Sequence, residues 1–261
     1  MKQGFSLVEL SIVLVILGLL TGGILGGQSL MRAAELRTIT QELSKYQIAI
    51  NTFQDEYMGL PGDIANATAY WGAAHATPAT CLTTTGSGSE TCNGNKNSII
   101  ERAGNPDEYG EMFTFWQHLA NAGLIEGQYN GIAGSGNDQH AIIGTNTPSG
   151  RLSNTGWSVR TFNNFPGDAF WFAGDYGHTF TIGTVWPNSF TWGKVLTPGE
   201  QWNIDKKIDD GKPGQGHIFA GHYATCTNAG AGNNTEADAI AADYALDVDD
   251  IECGIIFRQA F

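Results

Sequence analysis

The sequence predicts an α+β protein: a long N-terminal helix, membrane-spanning in its first half and amphipathic in its second, packed on a C-terminal antiparallel β-sheet head. Three observations carry this. Residues 5–25 are apolar or small at nearly every position. An apolar stripe at helical spacing then continues from Leu36 to Tyr57. Beyond residue 156 come short segments rich in aromatic and β-branched residues, the composition of strands.

At about 1.5 Å per residue, a helix over residues 5–25 reaches roughly 31 Å, the depth of a bilayer core. Fourteen of those residues are Phe, Leu, Ile or Val. They favour insertion by about 4–8 kcal/mol, against a cost of about 3 kcal/mol for one mid-membrane charge. Insertion wins although Glu9 lies within the run. A cleaved secretory signal would have only residues 1–4 as its charged region and a carboxylate in its apolar core, and no A-x-A site follows, although TGG and LGG are small enough to be cut. A plain anchor explains the length and gives Glu9 no role.

A third reading rests on the stretch GFSLVELSIVLVILGLL. Gly4, the aromatic Phe5, the small Ser6, Glu9 and the apolar run together resemble the N-terminal signature of type IV pilins and type II secretion pseudopilins. The resemblance implies a pilin-like fold and a division into a leader (1–4), a transmembrane and filament-core helix (5–27), an amphipathic helix entering the head (28–58) and a globular head (59–261). It implies cleavage between Gly4 and Phe5 by a prepilin peptidase, N-methylation of Phe5, and an assembly role for Glu9, paired with the Phe5 amine of a neighbouring subunit. The implied partners are that peptidase, other pilin subunits, an inner-membrane assembly platform and the inner membrane itself. The implied location is the bacterial inner membrane, with a cytoplasmic N-terminus and a periplasmic head, and then a periplasmic or extracellular filament. Lys2 agrees with that orientation, and Arg32 and Arg37 oppose it slightly. Many family members carry a proline late in the apolar run, where this chain has Gly22, Gly23, Gly26 and Gly27. These glycines, with Gly18, weaken the helix by about 1 kcal/mol each relative to Ala, which suits close helix packing or local unwinding on assembly.

Leu36, Ile39, Leu43, Tyr46, Ile50, Phe53 and Tyr57 keep a 3-4-3-4 spacing, with Arg37, Gln41, Glu42, Lys45 and Gln54 expected opposite. The pattern predicts one helix through about residue 58, ended by Gly59 and Pro61. Residues 64–106 read as irregular. A helix is expected over 107–122, with Met112, Phe115, Trp116 and Leu119 on one face, Asp107, Glu108 and Glu111 at its start and Gly123 as its cap. Residues 127–156 read as loop, and 157–162, 168–174, 178–185 and 189–195 as strands. Thr197, Pro198 and Glu200 open a short helix with a capping box, which Gly211 and Pro213 end. GHIFAGHYA and CGIIFRQAF close the chain as strands.

The net charge of −13 and the scattering of the 13 basic residues disfavour direct nucleic-acid binding. Cys81, Cys92, Cys226 and Cys253 are an even set outside the apolar run, which fits two disulfides. Three pairings exist, and the local one, Cys81–Cys92 with Cys226–Cys253, is favoured. Asp205, Asp209 and Asp210 form one acidic cluster, and Asp247, Asp249, Asp250 and Glu252 another. Calcium takes six to eight oxygen ligands, and the resemblance implies it as a candidate, since some pseudopilins bind it in a C-terminal loop. Neither cluster matches an EF-hand pattern, and capping and solvation account for both, so no cofactor is expected. His217 and His222 lack metal-site spacing, and no hydrolase, P-loop or dinucleotide motif is present.

The sequence therefore reads as a non-enzymatic, structural subunit of a type IV pilus-like filament. A type II secretion pseudopilin is the alternative within the class. A membrane-anchored glycan-binding protein or enzyme using the head is the alternative outside it.

Overall fold

The structure, a computed structural model, describes residues 7–81, 83–102, 110–136, 138–230, 232 and 235–261. Helix α1 runs unbroken over Leu7–Tyr57, so the apolar and amphipathic segments form a single rod about 77 Å long. Its stripe packs as the spacing requires. Ile39, Ile50 and Phe53 are fully buried, Tyr46 is nearly so, and Leu36, Leu43 and Tyr57 border the same core. Tyr46 meets Trp116 and Trp157 edge-on, with ring centroids 5.0 and 5.4 Å away. Arg37, Gln41 and Lys45 face solvent. Glu42 departs from that expected face: its carboxylate accepts from Nε1 of Trp157 at 3.2 Å and from the Arg151 amide at 3.3 Å.

The helix does not end on Gly59 as expected. Met58 takes the left-handed conformation (φ 54°) and donates to the Gln54 carbonyl. Gly59 serves packing instead, because a Cβ there would lie 2.7 Å from Cγ2 of Ile64. Two short helices, α2 (Ala67–Trp71) and α3 (Pro78–Cys81), interrupt the stretch expected to be irregular. Helix α4 spans Glu111–Asn121 and buries Met112, Phe113, Phe115, Trp116 and Leu119. Asp107 and Glu108, expected at its start, lie outside the described residues. It ends on Gly123 (φ 71°), with the Leu124 amide returning to the Leu119 carbonyl.

The head is an antiparallel sheet in the order β1 (Gly156–Phe162), β2 (Gly177–Val185), β5 (Gly254–Phe257), β4 (Ile218–Gly221), with β3 (Thr191–Gly193) paired to β2 across a bulge. The last strand of the chain thus sits between β2 and β4. Residues 168–174 were expected to form a strand and do not. Oδ1 of Asp168 accepts from the amides of Phe170 and Trp171 at 2.7 and 2.8 Å, so a local side chain takes the donors a ladder would have used. Trp171 and Phe172 are buried from that turn. Helix α5 (Pro198–Ile208) carries the expected capping box, Thr197 with Glu200. After β4 come two short helices, α6 (Tyr223–Cys226) and α7 (Glu236–Ala241). Disulfides join Cys81 to Cys92 and Cys226 to Cys253, the second fastening α6 to the start of β5.

One contact locks the head to α1 where the exposed apolar half ends. Arg32 donates through Nε and Nη2 to the two oxygens of Glu200 at 2.6 and 2.8 Å, and through Nη2 to the Val195 carbonyl at 3.0 Å. Glu200 also accepts from the Thr197 amide, so one carboxylate caps α5 and grips α1. Burial, the largest influence, works against the Glu200 charge, and the Arg32 hydrogen bond, the Thr197 amide and the Arg32 charge together outweigh it and hold the carboxyl below its ordinary value. The pair is partly exposed, which limits its worth. A double-mutant cycle of Arg32→Ala and Glu200→Ala, read by urea unfolding in detergent, should give a coupling of about 1 kcal/mol. Glu200→Ala alone should cost more than Arg32→Ala because it also opens the capping box. A coupling of zero would show that the clamp forms without stabilising.

Candidate assembly site

The first half of α1 is exposed rather than packed in the core. Fourteen large apolar side chains between Leu7 and Met31 are 50–86% exposed, and the most apolar 18-residue window has a mean hydropathy of 2.4 with no residue buried. The helix is long and apolar enough to cross a bilayer. Its hydroxyls are satisfied within the helix. Ser11 donates to the Val8 carbonyl at 2.8 Å, Thr21 to those of Leu17 and Gly18, and Ser29 to that of Gly26. This is the pattern that hydrocarbon surroundings require.

Glu9 is the sole ionisable residue of residues 7–31. It lies in the first turn of α1 as described, exposed, where a carboxylate also favours the helix dipole. Gly4 and Phe5, the expected processing residues, lie outside the described residues. Gly18, Gly22 and Gly26 repeat every four residues and so share one face, and Gly23 and Gly27 repeat beside it. A Cβ built on any of the five meets nothing within 4 Å, so among the described residues no contact demands glycine there. Such faces allow close approach of a second helix.

The other expected candidates divide. Asp205, Asp209 and Asp210 do come together, with ligand atoms within 4.8 Å of one another. Their oxygens already fasten the chain. Asp205 accepts from the Tyr244 hydroxyl at 2.6 Å and the Gly211 amide at 2.8 Å, Asp209 from the amides of His217 and Ile218, and Asp210 from that of Lys212. This donor set fits a loop clasp better than a calcium shell. Asp247, Asp249 and Asp250 are exposed, and among the described residues no ligand group forms around them. Glu252 instead pairs with Lys194. His217 is exposed, and His222 is buried against Trp192 with its Nε2 3.2 Å from the Trp192 carbonyl.

Sequence reasoning missed a buried polar cluster beneath the LPGD turn. Its residues obey no periodicity and meet only through the fold. Asp63 accepts from the amides of Asn97 and Ser98, and Glu111 from those of Asn95 and Glu101. Burial, and the Asp63 charge beside it, push Glu111 up to about 8. His118 accepts from the Gly62 amide on Nδ1 at 2.8 Å and meets the Thr91 hydroxyl at 3.0 Å through Nε2, which assigns the proton to Nε2. Full burial holds it down to about 3. Among the described residues, their partners are backbone amides and neighbouring core side chains, so they brace the junction of α1, α4 and the 94–98 loop.

Residues 1–25 match the family model described as the prokaryotic N-terminal methylation motif, the signature of type IV pilins and pseudopilins. No curated protein and no solved structure matches the chain.

The buried groups set the pH response of the fold. Glu111 and Asp205, raised from 4.5 to about 8 and from 3.8 to about 7 mainly by burial, add stability that is present at low pH and lost as pH rises through those values. His118 and His222, lowered by burial from 6.5 to about 3 and about 4, subtract stability as pH falls below 6.5. Between about 4.5 and 6.5 the two pairs oppose each other. A series of melting temperatures should therefore show a plateau there and a fall on both sides, toward pH 8 and toward pH 4. A steady rise from pH 5 to 8 would contradict these assignments.

Proposed function

We propose that this pilin-type precursor is the structural subunit of a type IV pilus-like filament rather than an enzyme. It is cut after Gly4, N-methylated at Phe5 and polymerised through α1, without a cofactor. The observation that carries the reading is the methylation motif on a helix whose apolar half is left exposed. Such a surface is stable in a bilayer or against other helices, and the prepilin reading calls for both in turn. Held in the inner membrane with its N-terminus cytoplasmic, the subunit would be passed by an assembly platform into a filament, where the helices bundle and the acidic heads face outward. The same motif supports a secretion pseudopilin, and the large, loop-rich head over residues 59–261 favours the pilus.

Within this reading Glu9 meets the Phe5 amine of a neighbouring subunit. In low dielectric a paired carboxylate is strongly held and an unpaired one is costly, so the pairing would select correctly seated subunits.

Two measurements test this. The intact mass of the mature chain should equal residues 5–261 plus one methyl group; an unprocessed N-terminus refutes the precursor reading. Glu9→Ala should insert and be processed at the wild-type level, yet fall at least about tenfold in filament incorporation, the scale of one lost charge-assisted contact. Normal incorporation of that variant would remove the assembly role.

A further inference from the structure

The end of α1 opposite its apolar half opens into a pocket of about 400 Å³, lined by Glu56, Tyr57, Met58, Asn66, Tyr70 and Lys96. That volume lies within the range of small-ligand sites, about 300–1,000 Å³. We infer that this pocket binds a neutral oligosaccharide, a site independent of the assembly surface.

Its aromatic wall is rigid. Tyr57 stacks on the buried Phe53 with centroids 4.4 Å apart, and Tyr70 stands edge-on to Tyr57 at 5.0 Å and 88°. Trp71 closes on Tyr57 at 5.2 Å and on the buried His118 at 5.2 Å. The rings thus form a continuous stack from the core outward, and Tyr70, at its end, is 52% exposed. An aromatic face anchored at its base and open at its tip is a stacking platform rather than a core residue.

Two lining residues are held in costly conformations. Met58 (φ 54°) and Lys96 (φ 60°) are both left-handed without being glycine. Met58 carries its apolar side chain 78% exposed, at a helix end where glycine is the ordinary choice. Strain of this kind gathers at ligand clamps, and an exposed methionine supplies an adaptable apolar contact.

The polar groups are released for use. Asn66 occupies the N-cap position of α2 yet makes no capping bond. The Thr68 amide is instead taken by Oδ1 of Asn93 at 2.9 Å. Asn66 is left facing the pocket, its Nδ2 3.4 Å from the Tyr70 hydroxyl. Glu56, exposed on the pocket wall, offers a carboxylate as acceptor. One carboxylate and one ammonium leave the pocket without net charge, which removes the pull on an ionic ligand. A pyranose has the complementary surface, with a C–H face for the ring of Tyr70 and a rim of hydroxyls that both donate and accept for Asn66, Glu56 and Lys96.

The test uses the full-length chain in detergent over immobilised neutral oligosaccharides, di- to tetrasaccharides of hexose and N-acetylhexosamine. At least one should bind and be displaced by the free sugar. Tyr70→Ala and Asn66→Ala should each weaken it about tenfold or more, with Tyr70→Trp retaining it and melting temperatures unchanged. Should Tyr70→Ala disturb the fold, Asn66→Ala, an exposed change with no internal bond beyond Tyr70, decides alone. No binding across the set, binding undiminished by these variants, or preference for charged glycans or short peptides would overturn the site.

Discussion

Everything in this molecule depends on one continuous helix serving two environments. The large apolar side chains of residues 7–31 of α1 are half or more exposed, and the stripe Ile39, Tyr46, Ile50 and Phe53 is buried under a head. The change happens within about two turns, at Arg32. Full burial of Ile39, Tyr46, Ile50 and Phe53 contributes on the order of 6–12 kcal/mol. That is far more than the Arg32 clamp can supply at its exposure. The packing therefore holds the head on, while the clamp fixes where along the rod the head begins. The five glycines of the apolar half introduce no break.

The head is closed from its far end. β5, four residues from the C-terminus, pairs with β2 on one side and β4 on the other. The Ala260 carbonyl accepts from Gln47 of α1 at 2.8 Å, and Phe261 stacks on His178. First helix and last residues meet across the whole chain, a topology rich in non-local contacts that folds slowly. The disulfide between Cys226 and Cys253 brings α6 to the start of β5, which shortens the search for the strand that must be inserted.

How much of this the sequence revealed follows from the range of each interaction. The stripe of α1, the capping box at Thr197 and Glu200, and the Schellman turn at Gly123 are local, and their spacing carried them. So did the methylation motif, a contiguous run. The stretch 168–174 misled because its aromatics have strand composition while a single Asp168 oxygen dictates a turn. Met58 replaced Gly59 at the end of α1 because Ile64, distant in the pattern but adjacent in space, claims the glycine. The Arg32–Glu200 pair spans 168 residues, and the pocket at Tyr57, Asn66, Tyr70 and Lys96 is assembled from α1, α2 and a loop. Such contacts have no periodic signature. The acidic cluster at Asp205 was visible as composition, but its role as a clasp depends on Tyr244, which only folding brings near.

The charge of the chain bears on how such subunits can associate at all. With a net charge of −13, neighbouring heads repel, but at physiological salt that repulsion is screened beyond about 8 Å. The apolar half of α1 presents fourteen large side chains for burial, worth on the order of 20–40 kcal/mol if fully covered. In water the helices win by a wide margin and would aggregate without order. In hydrocarbon that drive vanishes, because lipid covers them equally well. What remains to discriminate one helix packing from another is the close approach that the glycine face permits and the cost of leaving Glu9 without a counter-charge. Under the proposed assembly role of Glu9, a single carboxylate within a non-specific apolar surface would give that surface a preferred partner and a preferred register.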